Sequence, residues 1–383
     1  MAKKRLVILG STGSIGTQAL EVVRRYPDRL SVVGLCCNTD IDTLAKQIQE
    51  FKPLFVAVGD EQKAQELSSN TGIIVWGGDD GVNALSTVEC DVVLNALVGI
   101  RGLEPTINAI NAGNDVALAN KETLVAGGDI VMPLAKQKGV KILPVDSEHS
   151  AIWQCKGFEL DKKVKQIILT ASGGAFRDMT KEQIACAKAC DALKHPTWNM
   201  GSKVTIDSAT LVNKGLEIIE AKHLFGVEAK DIAVYIHPKS IVHSMVRFDD
   251  GSISAQMSYP DMKLPIALAL LYPERGNYDF SPLELDGLDL TFSAPDLERF
   301  PCLGIAVRCA QRGGVYPIIF NAVNEVLVPF YLNNQIKFYD FSYYIEQAID
   351  RLGRDKAIAS IDDVYRCDDM ARKFAYELLK ERL

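Results

Sequence analysis

The N-terminal stretch constrains this chain more than any other part of it. Lys4 to Leu9 is a short β-rich run that leads directly into Gly10-Ser11-Thr12-Gly13-Ser14-Ile15-Gly16, and from there into a helical stretch over Gln18 to Arg25. Glycines between a strand and a helix let the chain turn tightly and bring its backbone close to a ligand. The start of the helix then presents free N–H groups and the positive end of a dipole, which suit a pyrophosphate. The spacing, G-x-x-G-x-x-G, is a variant of the dinucleotide fingerprint. Such a turn also serves purely structural ends; it is the order strand, turn, helix at the head of the chain that points to a nucleotide.

The alternation continues. A second strand is expected over Leu30 to Cys37, followed by Asn38-Thr39-Asp40. Then come Leu54 to Val58 with a helix over Gln62 to Ser69, Ile73 to Trp76, Val92 to Ala96 with a helix over Leu103 to Ala112, and Asp115 to Ala119. Strands alternating with helices make a parallel, doubly wound sheet. Asp40 falls near the distance at which an acid holds the ribose 2'-hydroxyl of NAD and repels a 2'-phosphate, so Asp40→Asn is expected to raise a preference for NADPH. Ala119-Asn120-Lys121-Glu122 follows a strand end, where open α/β sheets carry their ligands. A lysine there can polarise a substrate oxygen; an ordinary helix start with surface charges has the same pattern.

A chain of 383 residues exceeds one ordinary core, and two or three domains are expected. With 48% hydrophobic and 24% charged residues it has the composition of a soluble globular protein. Its net charge of -7, with both signs mixed along the chain, argues against nucleic acid or an anionic membrane as the main partner. No apolar run approaches the roughly 20 residues that span a bilayer. The basic start Met1 to Arg5 is followed by an apolar run, Leu6 to Leu9, far too short for a signal peptide. The nine cysteines are scattered, with Cys36-Cys37 adjacent and Cys186 and Cys190 four apart, and suit neither a zinc site nor a disulfide framework. A reducing cytoplasm is the expected location.

Val140 to Val145 reads as a further strand, with Pro144-Val145-Asp146-Ser147-Glu148-His149 at its exit. Alternate residues of a strand face the same way, so Asp146 and Glu148 are expected to project side by side. Like charges held together call for a cation, and hard ions such as Mg2+ or Mn2+ prefer carboxylate oxygen. A solvated acidic turn gives the same pair. Lys165 to Thr170 reads as a strand entering Ala171-Ser172-Gly173-Gly174, a turn whose N–H groups suit an oxyanion or phosphate, though a plain turn looks alike. His195-Pro196-Thr197-Trp198-Asn199-Met200-Gly201 carries large amphipathic side chains in a loop, as a lid does, or as a structural loop does whose Trp198 docks on the core.

Lys203 to Ile206 is short and β-like, and Asp207-Ser208-Ala209-Thr210 supplies N-cap residues for a helix running through Asn213, Lys214, Glu217 and Glu220 to about Leu224. Asn213 lies four residues before Glu217 and Lys214 three before it, so the three share a face. An amide, an ammonium and a carboxylate together can bind a polyol on a metal, with Ser208 at the helix start facing a phosphate. A surface ion pair is the plainer reading. Ile232 to Ile236, Ser244 to Phe248 and Ser252 to Met257 read as strands of a mostly antiparallel or mixed sheet, with Asp249-Asp250-Gly251 a hairpin turn. Tyr272 to Pro301 reads as a linker, and helical periodicity resumes from about Gly304 through Asn321 to Leu332, Tyr343 to Leu352 and Asp368 to Leu379.

Taken together, Gly10 to Gly16, Leu118 to Glu122, Pro144 to His149, Ala171 to Gly174, His195 to Gly201, Asp207 to Glu220 and His237-Pro238-Lys239-Ser240 resemble the 1-deoxy-D-xylulose 5-phosphate reductoisomerases, over nearly the whole chain. The resemblance implies an α/β fold in three parts: an NADPH-binding Rossmann-like doubly wound domain over 1–146, an α/β connective catalytic and dimerisation domain over 147–271, and, after a linker over 272–297, a helical bundle over 298–383. It implies that Asp146, Glu148 and Glu217 bind one Mg2+ or Mn2+. Lys121, Ser147, Ser172, Ser208, Asn213 and Lys214 would contact the substrate, and His195, Trp198 and Met200 would close over it. Lys121, His195 and Lys214 would join the metal ligands in catalysis. Thr12, Gly13, Ser14, Ile15, Asn38, Thr39, Asn120, Glu122 and Gly201 would contact the cofactor. The implied reaction is the metal-dependent rearrangement and NADPH reduction of 1-deoxy-D-xylulose 5-phosphate to 2-C-methyl-D-erythritol 4-phosphate, in the non-mevalonate isoprenoid pathway, by a cytoplasmic homodimer.

Two other readings compete. A simple NAD(P)-dependent dehydrogenase of the homoserine dehydrogenase type also joins a Rossmann fingerprint to an Asn-Lys motif, but needs neither the three carboxylates nor the Ser208 to Glu217 stretch. A nucleotide-sensing Rossmann module would bind cofactor without turnover, and leaves the His195 loop without a purpose.

Overall fold

A computed structural model describes residues 2–198, 200–277 and 280–382. The contacts divide the chain into two compact units that are not continuous in sequence: 1–123 with 131–150 and 261–281, and 124–130 with 151–260 and 282–383.

In the first unit the apolar runs pair as a seven-stranded sheet: β1 Lys4–Leu9, β2 Leu30–Cys37, β3 Phe55–Val58, β4 Trp76–Gly77, β5 Val92–Asn95, β6 Asp115–Leu118 and β7 Ile142–Pro144. The order is β4-β3-β2-β1-β5-β6-β7, and every pairing is parallel. Leu6 to Leu9 and Val93 to Leu94 are wholly buried, as expected of central parallel strands covered on both faces by helices. The order reverses between β1 and β5, which is where a doubly wound sheet opens its ligand crevice.

The helix Lys263–Leu271 also packs in this unit, far from it in sequence. Lys263 pairs with Glu21 at 2.7 Å and Arg29 with Glu274 at 2.9 Å, while Lys4 donates to the carbonyl of Tyr272. Residues 261–281, read from sequence as the end of one segment and the start of a linker, thus return to the first sheet. The periodicity of a helix does not say against which sheet it packs. Tyr278 and Asp279 of the expected linker lie outside the described residues.

The second unit is built on β8 Gln166–Ala171, β9 Ile232–Ile236, β10 Val242–Arg247 and β11 Ile253–Met257, in the order β11-β10-β8-β9. The sheet is mixed: β8 and β9 run parallel, and β10 is antiparallel to both its neighbours. Helices Pro301–Arg312, Val315–Leu332, Asp340–Leu352 and Ile361–Arg382 follow. Val315–Leu332 is long and apolar enough to cross a membrane by length and composition, although Asn321, Asn324 and Glu325 interrupt its apolar run, and 78% of it is buried inside the fold. It is the central helix of the bundle, tied by Arg372, which bonds both Glu325 and Asp368. The close packing of Val212–Phe225 on Pro301–Arg312 requires Gly215, where a Cβ would come within 2.4 Å of the Ala306 Cβ.

Candidate active site

In the first unit the glycine turn leaves β1 at its carboxyl end. Gly10 has φ +84, and a Cβ on Gly16 would stand 2.3 Å from the Gly10 carbonyl oxygen, so side chains are excluded at both positions. The helix Ser14–Arg25 begins at Gly13 with no side-chain cap, which leaves its first N–H groups available to an anion. Gly13 and Ser14 are exposed there, and Thr12 and Ile15 half-buried.

Asn38 follows β2, with Thr39 after it. The Asn38 Oδ1 accepts from an Arg101 Nη at 3.3 Å, and the other Arg101 Nη bonds Asp79. Arg101 lies in the short turn Gly99–Gly102 after β5, and nothing in its spacing marks it in the sequence. Asp40 differs from the expectation of a ribose partner. It is the N-cap of the helix Ile41–Phe51, its carboxylate accepting from the Thr43 N–H at 3.1 Å. Asp40→Ala is therefore expected to cost about 1 kcal/mol of stability. Asp40→Asn keeps the cap, and leaves both the melting temperature and the preference between nicotinamide cofactors unchanged; thermal melts and paired kcat/KM values check this.

Asn120, at the exit of β6, is buried and caps the helix Lys121–Lys138. Its Oδ1 accepts from the Thr123 N–H at 3.0 Å, while its Nδ2 donates to the carbonyls of Leu97 and Gly99, each at 3.0 Å, and to Glu122 at 2.9 Å. The side chain is thus committed to shaping the turn between β5 and β6. Lys121 turns to Asp146, Nζ to carboxylate 2.7 Å, with both side chains largely buried. The strand geometry expected for Asp146 and Glu148 is not what forms. β7 ends at Pro144, and the helix Ser147–Cys155 starts at once, with the Ser150 N–H donating to the Asp146 carbonyl at 2.8 Å. A carboxylate is favoured in the first helical turn by the dipole, which is where Glu148 sits. Even so, a carboxylate oxygen of each acid lies within 4.8 Å of the other. Ser147 Oγ donates to Glu148 at 2.5 Å.

In the second unit, Lys203 to Ile206 forms no strand: Ser202–Ala209 is a helix, so Ser208 stands in its last turn and not at a helix start. The next helix, Val212–Phe225, begins after Leu211 in the left-handed region at φ 57. Val204, Thr205 and Ile206 are β-branched and favour a strand locally; the burial of Thr205 and Ile206 in a helix that packs on Val212–Phe225 overrides that preference. Asp207 is buried and faces Lys203 at 3.0 Å and the Asn324 amide at 2.8 Å. Asn213 and Lys214 both donate to Glu217, the amide to one oxygen and the ammonium to the other. Lys214 and Glu217 are 3% and 1% exposed, so this is an enclosed charge pair and not the solvated surface pair that the spacing equally allowed.

The turn after β8 approaches Ser208 closely. Gly173 and Gly174 have φ +88 and +69, and a Cβ on Gly174 would lie 2.5 Å from the Ser208 carbonyl oxygen. Ser172 Oγ accepts from the Gly174 N–H at 3.2 Å and stands 3.0 Å from His195 Nε2. His195 Nδ1 accepts from the Thr197 and Trp198 N–H groups at 3.1 and 2.9 Å. That assigns the proton to Nε2, which donates to Ser172 and leaves the serine proton for a ligand oxygen. Burial, and then the charge of Arg177, hold His195 below the usual histidine range. Arg177 was not singled out in the sequence; its guanidinium donates to the Ser172 carbonyl at 2.9 Å, and Arg299 in turn donates to the Arg177 and Met179 carbonyls at 2.9 and 2.8 Å. Trp198 lies half-buried with its ring 6.1 Å from that of His243. Met200 is half-buried and Gly201 exposed at the start of Ser202–Ala209. Asn199 lies outside the described residues.

The two units thus offer carboxylates flanked by lysines, a serine-glycine turn with open donors, and a nucleotide turn. Family models match in three consecutive stretches: 1-deoxy-D-xylulose 5-phosphate reductoisomerase over residues 6–128, the C-terminal domain of the same enzyme over 142–225, and the DXP reductoisomerase C-terminal domain over 257–374. The chain is 46% identical over 378 residues to 1-deoxy-D-xylulose 5-phosphate reductoisomerase of Microcystis aeruginosa, covering 97% of each. It is 47% identical over 382 residues to 1-deoxy-D-xylulose 5-phosphate reductoisomerase 1 of Bacillus cereus, covering 98% of each. A crystal structure of DOX-P reductoisomerase with NADPH, fosmidomycin and magnesium superposes with a TM-score of 0.93 at 38% identity, covering 98% of each chain. Neither a homoserine dehydrogenase-type enzyme nor a nucleotide sensor accounts for likeness of this extent, and the chain belongs to the 1-deoxy-D-xylulose 5-phosphate reductoisomerase family.

Proposed function

We infer that this chain converts 1-deoxy-D-xylulose 5-phosphate to 2-C-methyl-D-erythritol 4-phosphate, using NADPH and a divalent metal ion, in the non-mevalonate isoprenoid pathway. The observation that carries the reading at the level of residues is Glu217, a buried carboxylate held by Lys214 and Asn213. A simple dehydrogenase has no use for it.

Asp146, Glu148 and Glu217 are the proposed metal ligands. Their donors are all carboxylate oxygens, which fits Mg2+ or Mn2+ and not a soft metal. When bound, the ion supplies a Lewis acid for the substrate's carbonyl and hydroxyl oxygens, and NADPH supplies hydride. The chain's own residues bind and orient. Lys121 and Lys214, now on Asp146 and Glu217, are the cations nearest those acids and stand ready for substrate oxygens. Ser172, Ser208 and Asn213 present donors to the phosphate. His195 supports Ser172, and with Trp198 and Met200 excludes water once closed. Ser147 steadies Glu148. Thr12, Gly13, Ser14 and Ile15 take the cofactor pyrophosphate, Asn38 and Thr39 its adenosine end, and the Asn120-Glu122 turn and Gly201 its remaining length.

The functional division into 1–146, 147–271 and 298–383 is part of the same reading, with dimerisation through the middle segment. An edge strand, β11, with Ile253 48% exposed, supports a homodimer. The nine cysteines are all free, which supports a cytoplasmic location.

The test is incubation with 1-deoxy-D-xylulose 5-phosphate, NADPH and Mn2+. NADPH absorbance is expected to fall, with branched 2-C-methyl-D-erythritol 4-phosphate as product and loss of activity in EDTA. Reduction without change of the carbon skeleton would overturn the reading.

A further inference from the structure

We propose that Arg101 selects the phosphorylated cofactor, its guanidinium taking the adenosine 2'-phosphate; this rests on the NADPH reading above. A dinucleotide lies across the carboxyl ends of the strands where their order reverses, here between β1 and β5. With its pyrophosphate on the turn after β1, the adenosine half lies on the β2 side, and its ribose comes to the residues that follow Cys37. Arg101 starts on the opposite side of this crevice, in the turn after β5, and its side chain reaches back across to the adenosine side. One guanidinium nitrogen is 3.3 Å from the Asn38 Oδ1, and the other would lie 3.4 Å from a Cβ on Gly59, the residue after β3. A planar cation with a fork of N–H donors, placed at the ribose edge, matches a phosphate dianion.

The acids nearby do not oppose this. Asp40 faces the first turn of its own helix. Asp79, the present partner of Arg101, is 73% exposed, and Arg101 itself 52%. Exposed ion pairs of this kind are cheap to separate. Asp79 therefore competes weakly for the guanidinium and yields it to a doubly charged phosphate.

The experiment compares parent, Arg101→Gln and Asp79→Asn in two ways: kcat/KM with NADPH and with NADH, and the Kd of adenosine 2',5'-bisphosphate against adenosine 5'-phosphate. Arg101→Gln is expected to lower the NADPH-to-NADH ratio about ten- to a hundredfold, with a matching loss for the bisphosphate alone. Asp79→Asn removes the competitor and is expected to raise both preferences, which keeps the proposal testable should Arg101→Gln fold poorly. An unchanged ratio in Arg101→Gln, or equal losses for both cofactors, overturns the assignment while leaving the NADPH reading intact. A parent that binds the bisphosphate no better than the monophosphate overturns both.

Discussion

Glu217→Gln is expected to lower turnover at limiting Mn2+ about a hundredfold or more, while the protein still folds. The two consequences separate because the glutamine carbonyl oxygen still accepts a hydrogen bond from Lys214 or Asn213, both of which now bond the carboxylate. The amide does not keep the charge, so the Lys214 ammonium, 3% exposed, is left without its anion, which costs up to about 3–5 kcal/mol of stability. What the amide cannot supply is the negative charge and second oxygen that a hard cation requires. Lys214→Met serves as the counterpart. It leaves the Glu217 carboxylate, 1% exposed, without its cation, and breaking an enclosed pair in this way costs about 3–5 kcal/mol. Both variants are expected to melt lower without added metal, and turnover as a function of Mn2+ distinguishes them, since only Glu217→Gln removes a proposed ligand. Glu217→Gln with parental activity at low Mn2+ would exclude Glu217 as a ligand.

That helix shows what the sequence could and could not convey. The i,i+3 and i,i+4 spacing of Lys214, Asn213 and Glu217 follows from helical pitch alone, and the pairs meet as the pitch demands. Whether the pair is solvated or enclosed depends on packing from residues far away in the chain, such as Phe320 and Ala306 around Gly215, and spacing carries no sign of it. The first sheet was legible for a similar reason: strictly alternating β and α runs admit few arrangements. At Asp146 and Glu148 the strand period does not apply. A two-residue separation suits a strand, but Ser147 starts a helix, and proximity arises there from the helix entry instead. At Lys203 to Ile206 local β preference lost to tertiary burial. Arg101, Arg177 and Asn324 act by reaching across to other elements, so no local motif announces them.

Trp198→Ala is expected to weaken binding of a phosphonate substrate analogue and to lower kcat/KM about tenfold, since burying an indole stabilises a closed loop by a few kcal/mol at most. The loop is held by His195, whose Nδ1 accepts from the Thr197 and Trp198 N–H groups while its Nε2 side meets Ser172. This arrangement needs a neutral ring, because a protonated Nδ1 cannot accept. Burial and Arg177 lower the pKa of His195 in the folded state below 6.5, so the unfolded or opened loop binds the proton more readily. The stabilisation is therefore present above the ordinary histidine range and is lost as pH falls through it toward the lowered value. Analogue affinity and protection of the loop from proteolysis are expected to decline together over that window in the parent, and His195→Ala is expected to remove this part of the pH dependence along with much of the affinity. Trp198 fluorescence reports closure directly, with Trp198→Phe subtracting the signal of Trp153, packed edge-on against Phe158, and of Trp76, against Phe55. If Trp198→Ala binds and turns over like the parent, or the analogue gives no protection at any pH, residues 195–201 form a fixed structural loop, and Ser172 binds its ligand without a closing cover.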